Sequence, residues 1–432
     1  MRQKRLRLGG LVGGRLDKEE FGAMLRKRSR NSIAGNLEGR VRDIGEIGAA
    51  VVGTGFIGAV HVDALRRLGV PVRGVVGSSR VRASARAREL GLPPPYESFE
   101  AMLADNRVEV VHITTPNHLH HNQVKAALAT GRHVVCEKPL AMTSEQSAEL
   151  HELAETSGLV HAVNFNIRFY PLCQHLRELV REGGLGEVRL VSGHFLQDWL
   201  SLKTDWNWRL EPELGGELRV VADIGSHWMD LTTFLTGERV TAVMADLATF
   251  IKVRHQPRGP VETFATARDT QTIEREIHTE DCASILLRFE NGARGSLTVS
   301  QVSPGRKNSL CFEIDGSESA AAWNSEQPDE LWMGYRSRPN ELLRRDPSLL
   351  NAAGRRAASL PGGLVEGFAD TFKALYAAVY QAVAAGSPGD GYPTFADGHE
   401  EVLICEAIAC SAREGKWIDV ARAASPLSTG PR

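Results

Sequence analysis

The segment Gly53-Thr54-Gly55-Phe56-Ile57-Gly58 constrains this chain more than any other part of it. An apolar run, residues 47–52, precedes it. A stretch with helical spacing follows, with Ile57, Val60, Ala64, Leu65 and Leu68 on one side. A GxGxxG turn between a strand and an amphipathic helix is built to take the pyrophosphate of a dinucleotide. Gly53 permits the tight turn, Gly55 lets the backbone approach the ligand, and Gly58 lets helix and strand pack closely. Phe56 and Ile57 open the helix whose N-terminus faces the anion.

The alternation continues beyond that turn. Strands are expected at 70–76, 108–114, 133–137 and 160–164, and helices at 82–90, 99–103, 122–129 and 145–156. Such a βαβ rhythm gives a parallel sheet with helices on both faces, a Rossmann domain over 47–167, with its ligand at the carboxyl ends of the strands. After residue 168 the rhythm changes. A helix at 171–182 leads to β-like runs at 188–196, 283–289, 295–301, 309–314 and 320–323. Asn291-Gly292 between two of these runs is a hairpin signal. The reading is an α/β chain whose second, α+β domain, 168–420, carries an open, mainly antiparallel sheet. Helices are expected at 367–385 and 398–414, and 326–363 reads as loop. Residues 1–46, rich in Gly and Arg, read as a disordered extension, and 421–432 as a tail.

Composition excludes several classes. A formal net charge of −2 over 432 residues gives no field to recruit nucleic acid or an anionic membrane. No apolar run is long enough to span a bilayer. Six scattered cysteines, none in a CxxC pair, fit a reduced, cytoplasmic protein.

Cofactor choice turns on the end of the second strand. An acidic residue there would hold a ribose 2′-hydroxyl. Here the strand ends in Gly77-Ser78-Ser79-Arg80, with no Asp or Glu nearby. Ser78, Ser79 and Arg80 suit a 2′-phosphate, which favours NADP over NAD.

Two further constellations carry chemistry. Glu137-Lys138-Pro139 follows a strand, which puts Lys138 in the ligand crevice as a donor to a substrate oxygen. Pro139 would fix the turn, with a cis bond within reach. Downstream, Asp223, His227 and Asp230 are spaced to share one helix face beside an apolar stripe of Ile224, Trp228, Leu231 and Leu235. Histidine suits proton exchange at neutral pH, and a carboxylate one turn away can orient it. Asn166, Arg168 and Tyr170 begin the second domain facing the crevice. Trp206 and Arg209 lie in Asp205-Trp206-Asn207-Trp208-Arg209, a mixture of aromatic and hydrogen-bonding groups suited to a carbohydrate. His118, His120 and His121 follow a strand end without matching ligand spacing, so no metal site is expected.

These motifs in this order resemble the Gfo/Idh/MocA oxidoreductases, the family of glucose–fructose oxidoreductase and inositol dehydrogenase. The resemblance rests on the GxGxxG from Gly53, Thr115-Pro116-Asn117-His118-Leu119-His120, Glu137-Lys138-Pro139, Asp223-Ile224-Gly225-Ser226-His227 and Phe395-Ala396-Asp397-Gly398, and spans residues 47–420. It implies Lys138, Asp223 and His227 as the catalytic set, with His227 taking a hydroxyl proton while hydride leaves the same carbon for the nicotinamide. It implies that Thr115, Pro116, Asn117 and His120 line the cofactor and that Glu137 lies near the nicotinamide ribose. A sugar, polyol or inositol-like substrate follows, as does a homodimer or homotetramer through the second sheet. The same motifs also fit an NAD-dependent glycoside hydrolase. A non-catalytic dinucleotide sensor would have no need of Lys138, Asp223 and His227 together.

Overall fold

The computed structural model describes residues 42–259, 271–389 and 391–422. The tail beyond residue 422, and the basic extension apart from residues 42–46, lie outside the described residues.

Five short strands form the first sheet: β1 (Ala49–Val52), β2 (Val72–Val76), β3 (Val110–Ile113), β4 (His133–Cys136) and β5 (His161–Val163). Their order is β2-β1-β3-β4-β5, and every pairing is parallel. Parallel strands joined by helical crossovers are covered on both faces, so they read as unbroken apolar runs. Alternate residues feed two cores. Ala49, Val51, Val110 and Val135 pack with α1 (Phe56–Arg67). Ala50, Val52, Val111 and Val134 pack with α3 (Phe99–Ala104), α4 (His120–Ala129) and α5 (Ser144–Ser157). Between β2 and α3 runs α2 (Arg80–Glu89).

The second sheet has nine strands. They are β6 (Val188–Leu196), β7 (Val240–Ala248), β10 (Cys282–Phe289), β11 (Arg294–Ser300), β12 (Ser309–Gly316), β13 (Ala320–Asn324), β14 (Glu330–Gly334), β15 (Glu341–Arg344) and β16 (Ile418–Asp419). Only β6 and β11 run parallel; the other neighbours are antiparallel. The expected hairpin at Asn291-Gly292 joins β10 to β11, and Gly292 takes the left-handed conformation (φ +93°) that turn needs. One face packs on α6 (Pro171–Arg181), α7 (Ser226–Thr236) and α9 (Phe395–Glu414) through Leu176, Trp228, Leu231, Leu235, Ile404 and Ile408. A separate ribbon, β8 (Val253–Pro257) with β9 (Thr272–Glu276), stands apart from both sheets.

Two expectations need correction. The stretch 326–363 is not loop: it holds β14, β15 and a short helix, Ala352–Ala357. Leu331 and Met333 bury one face of β14, but strands of five and four residues interleaved with Glu and Arg give too short a pattern to recognise. Nor does everything after residue 168 belong to the second sheet. Helix α8 (Phe368–Ala385) returns to the first sheet, where Phe372, Leu375, Tyr376, Val379 and Tyr380 pack beside α1.

Candidate active site

The glycine turn is shaped by two different demands. At Gly53 (φ +113°) a Cβ would strike Thr114, and at Gly58 it would strike the Gly53 carbonyl oxygen. A Cβ on Gly55 would meet nothing within 4 Å. The protein's own packing therefore requires the outer two glycines, while the space at the middle one opens outward. Helix α1 starts at Gly55 without a side-chain cap. A twelve-residue helix whose N-cap glycine supplies no side-chain cap, with an open approach at Gly55, fits a pyrophosphate.

At the end of β2, the expected 2′-phosphate contacts already have partners. The Ser79 hydroxyl caps α2 by accepting from the Arg82 amide, and Arg82 Nε lies 3.3 Å from the same oxygen. Arg80 forms an exposed ion pair with Glu97. Ser78 is exposed.

The loop after β3 is tied down by its polar groups. Thr115 Oγ1 donates to Gln123 Oε1 at 2.7 Å, and Asn117 Nδ2 donates to the Gly215 carbonyl at 2.7 Å. Pro116 between them is half-buried. His120 is wholly buried, with its ring nitrogens 2.8 Å from the carbonyl oxygens of Pro139 and Thr115. It staples the β3 loop to the β4 loop rather than lining an open surface, because both nitrogens face backbone. His121 turns instead to Glu149 (2.7 Å).

Next to that staple the Lys138–Pro139 bond is cis, and Lys138 reaches the second domain. Its Nζ donates to Asp223 Oδ1 at 2.8 Å and to the Asp223 carbonyl. Arg209 Nε reaches the same Oδ1 at 3.0 Å, and Gln301 Nε2 donates to Oδ2 at 2.8 Å. Three donors thus converge on one half-buried carboxylate. Burial alone would raise the Asp223 carboxyl, but the Arg209 and Lys138 charges outweigh it and hold the group well below the usual carboxylate range. His227 lies in the field of Lys138, Glu137 and Asp223, with its ring edge-on to Phe165 at 5.7 Å. Burial and the Lys138 charge push the imidazole down to about 3, against the pull of Glu137 and Asp223. Its Nδ1 is sealed from solvent and has no hydrogen-bond partner among the described residues.

Asp230 does not share this cluster. Residues 221–225 form a π-helical turn, whose i→i+5 bonds change the helical phase before α7 begins. Asp230 instead accepts from Arg168 Nε (2.8 Å) and Nη2 (2.5 Å), and Asp397 takes Arg168 Nη2 at 2.8 Å. Arg168 is therefore engaged inside the protein. Asn166 is too, donating to Thr371 Oγ1 at 2.7 Å. Both positions join the second domain to returning helices instead of facing the crevice. Tyr170 is likewise buried, its ring against Trp323. Trp206 packs in a small core with Leu200, Leu210 and Ile277, and it is Trp208 that lies under the Arg209 guanidinium, 4.4 Å from its ring centre.

Sequence reasoning missed Gln301, which directly follows β11 and carries no motif. It also missed the surroundings of Glu137. That carboxylate accepts from Asn164 Nδ2 at 2.5 Å and lies 3.1 Å from His61 Nε2.

A dinucleotide cradle and a Lys–Asp–His cluster at the carboxyl ends of one parallel sheet define a nucleotide-dependent oxidoreductase. Comparison with known proteins carries this to a family. Residues 47–165 match the oxidoreductase family with the NAD-binding Rossmann fold, and residues 173–322 match the GFO/IDH/MocA C-terminal domain. The chain belongs to the Gfo/Idh/MocA oxidoreductases. It is 31% identical over 389 residues to levoglucosan dehydrogenase of Pseudarthrobacter phenanthrenivorans, covering 87% of this chain and 98% of that protein. D-xylose 1-dehydrogenase (NADP(+)) 2 of Haloferax volcanii is 30% identical over 273 residues, 62% of this chain and 80% of that one. Among solved structures, levoglucosan dehydrogenase in complex with NADH and L-sorbose superposes with a TM-score of 0.78 at 29% identity, covering 87% of this chain and 99% of the other. An inositol dehydrogenase homolog complexed with NAD+ from Azotobacter vinelandii gives 0.77 at 27% identity, over 89% of this chain and all of that one. Among the described residues no helix is long and apolar enough to cross a membrane.

Proposed function

We propose that this chain oxidises a ring hydroxyl of a sugar, anhydrosugar or cyclic polyol, with NADP as the hydride acceptor. The observation that carries the reading is the Asp223 carboxylate, half-buried and held between Lys138, Arg209 and Gln301, beside a His227 whose Nδ1 has no hydrogen-bond partner among the described residues. A bound nicotinamide would supply the acceptor for the hydride. Everything else falls to side chains of this chain. Lys138 Nζ donates to the oxygen of the reacting carbinol and stabilises its developing negative charge. His227 takes the hydroxyl proton on Nε2, since Nδ1 is inaccessible. Asp223 holds Lys138 and Arg209 in place and accepts from a neighbouring hydroxyl. The stacked Trp208–Arg209 pair offers an apolar face and donors for the ring.

The preference for NADP rests on the absence of a carboxylate at the end of β2 and on Ser78, Ser79 and Arg80, which follow it and suit a 2′-phosphate. Binding it would exchange the Arg80–Glu97 pair for a phosphate contact. We also assign the open face of the nine-stranded sheet to contact with a second copy. One register row across it reads Leu342, Trp332, Ala322, Glu313, Ser192, Ser296, Leu286 and Met244: polar in the middle and apolar towards both ends. The sugar-acting relatives support the substrate class.

The test is nicotinamide reduction with a panel of aldoses, anhydrosugars and inositols, offering NAD+ and NADP+ in parallel. Reduction that depends on a panel member, faster with NADP+, is the expected result. Tight dinucleotide binding with no reduction by any member, but with an aglycone released from a glycoside, would replace this reading with redox-assisted hydrolysis.

A further inference from the structure

Behind the crevice lies a line of buried polar groups that hydride chemistry does not use. Tyr380 Oη lies 3.0 Å from His112 Nε2, His112 Nδ1 lies 3.0 Å from His61 Nδ1, and His61 Nε2 lies 3.1 Å from Glu137 Oε1. Its members come from α8, β3, α1 and the end of β4. Tyr380, His112 and His61 are all but completely buried. Two imidazoles meeting nitrogen to nitrogen can share only one proton, so the arrangement constrains itself.

The carboxylate sets the order. An ionised Glu137 only accepts, so His61 carries its proton on Nε2. A neutral His61 then has a bare Nδ1, and the proton between the rings belongs to His112 Nδ1. That leaves His112 Nε2 bare, and the Tyr380 hydroxyl donates to it. Every hydrogen bond points towards Glu137. On the other side, Asn164 Nδ2 donates to the same Oε1, and Tyr376 donates to Asn164 Oδ1 at 3.3 Å. Oε1 is thus saturated, while Oε2 has only the long contact from its own neighbour's amide, Lys138 N at 3.3 Å.

We propose that His61, His112 and Tyr380 are positioning residues for the dinucleotide: they lock Glu137 through one oxygen so that the other is presented to a ribose hydroxyl of the bound cofactor. This rests on the dinucleotide reading above. The charges facing the line are few. Glu137 also feels Lys138 and His227, the ring of Tyr376 packs against both imidazoles, and Glu109 lies near Tyr380. Burial above all pushes His112 well below the usual histidine range, so its ring stays neutral into mild acid. In this arrangement a second proton on His61 would put hydrogens on both Nδ1 atoms and part the rings, whereas one on His112 would fall on Nε2, against the Tyr380 hydroxyl.

The first test needs no cofactor. Nitrogen NMR of the imidazoles in the full chain should find His61 protonated on Nε2 and His112 on Nδ1, and Tyr380→Phe should change the His112 tautomer. The second is cofactor binding, followed by titration with NADP+ and NAD+. Losing a hydrogen bond to a charged group weakens binding by about tenfold. His61→Gln should show that loss and Tyr380→Phe a smaller one, each raising KM for cofactor but not for sugar. The opposite tautomers, or unchanged cofactor affinity in both folded variants, would overturn the proposal. A wild-type chain with the predicted tautomers that binds neither dinucleotide would refute the dinucleotide reading, and with it the ribose role, while leaving the ordered proton line standing.

Discussion

Asp223 gathers donors from three separate elements, so its loss should be felt beyond its own charge. Asp223→Asn leaves Lys138 and Arg209 without their shared counter-ion. Lost charge-assisted contacts at a reacting centre should lower kcat/KM by about 100-fold or more, with cofactor affinity unchanged. His227→Gln should cost about 100- to 10,000-fold in kcat by removing the proton acceptor. His227 also ties stability to pH. Its folded pKa, about 3, lies below its unfolded value of about 6.5. As pH falls through 6.5 the unfolded chain takes up a proton that the folded chain refuses. Stability is therefore lost from pH 6.5 downward until the folded group titrates. Between pH 7 and pH 5 the loss from this one residue is on the order of 2 kcal/mol. Denaturant melts of wild type and His227→Gln at the two pH values should show the variant less sensitive to acid by that amount. An equal acid response in both would mean that His227 is not held neutral.

At the scale of elements, the glycine turn separates folding from binding. Gly58→Ala drives a methyl into the Gly53 carbonyl and should destabilise the fold by about 1–3 kcal/mol. Gly55→Ala touches nothing in the protein, so its melting temperature should stay near wild type while dinucleotide affinity falls by about tenfold or more. Calorimetry and a binding titration on the pair check both halves. The legible part of the sequence was of this kind. GxGxxG, the βαβ rhythm and the Asn291-Gly292 hairpin each encode their geometry in a few neighbouring residues. Lys138, Asp223 and His227 were found through motifs, and the structure brings them together. The misreadings have long-range causes. Arg168 looked open to substrate because Asp230 and Asp397, which engage it, lie far along the chain. Asp230 looked as if it shared a face with Asp223 because a π-turn between them cannot be read from spacing. His61 sits on the helix that the glycine turn opens, yet its partners His112 and Glu137 come from different strands.

At the scale of the whole molecule, the chain closes on itself: α8 leaves the second domain to cover the first sheet, where Tyr380 meets His112 and Tyr376 meets Asn164. The outer face of the nine-stranded sheet is open, with Leu190 and Leu286 41% and 49% exposed. If copies associate there, Leu286→Glu should reduce the mass seen by light scattering towards one chain while leaving the melting temperature near wild type. An unchanged mass would place the contact elsewhere. On the proposed function, hydride passes from a carbinol carbon of a cyclic sugar or polyol to a nicotinamide held by the first domain. The most direct measurement uses panel substrates deuterated at their ring carbinol carbons and reads the reduced cofactor by mass spectrometry. One deuterium per reduced nicotinamide is expected with wild type, and a greatly slowed transfer with His227→Gln. No deuterium in the cofactor with any member of the panel would contradict it.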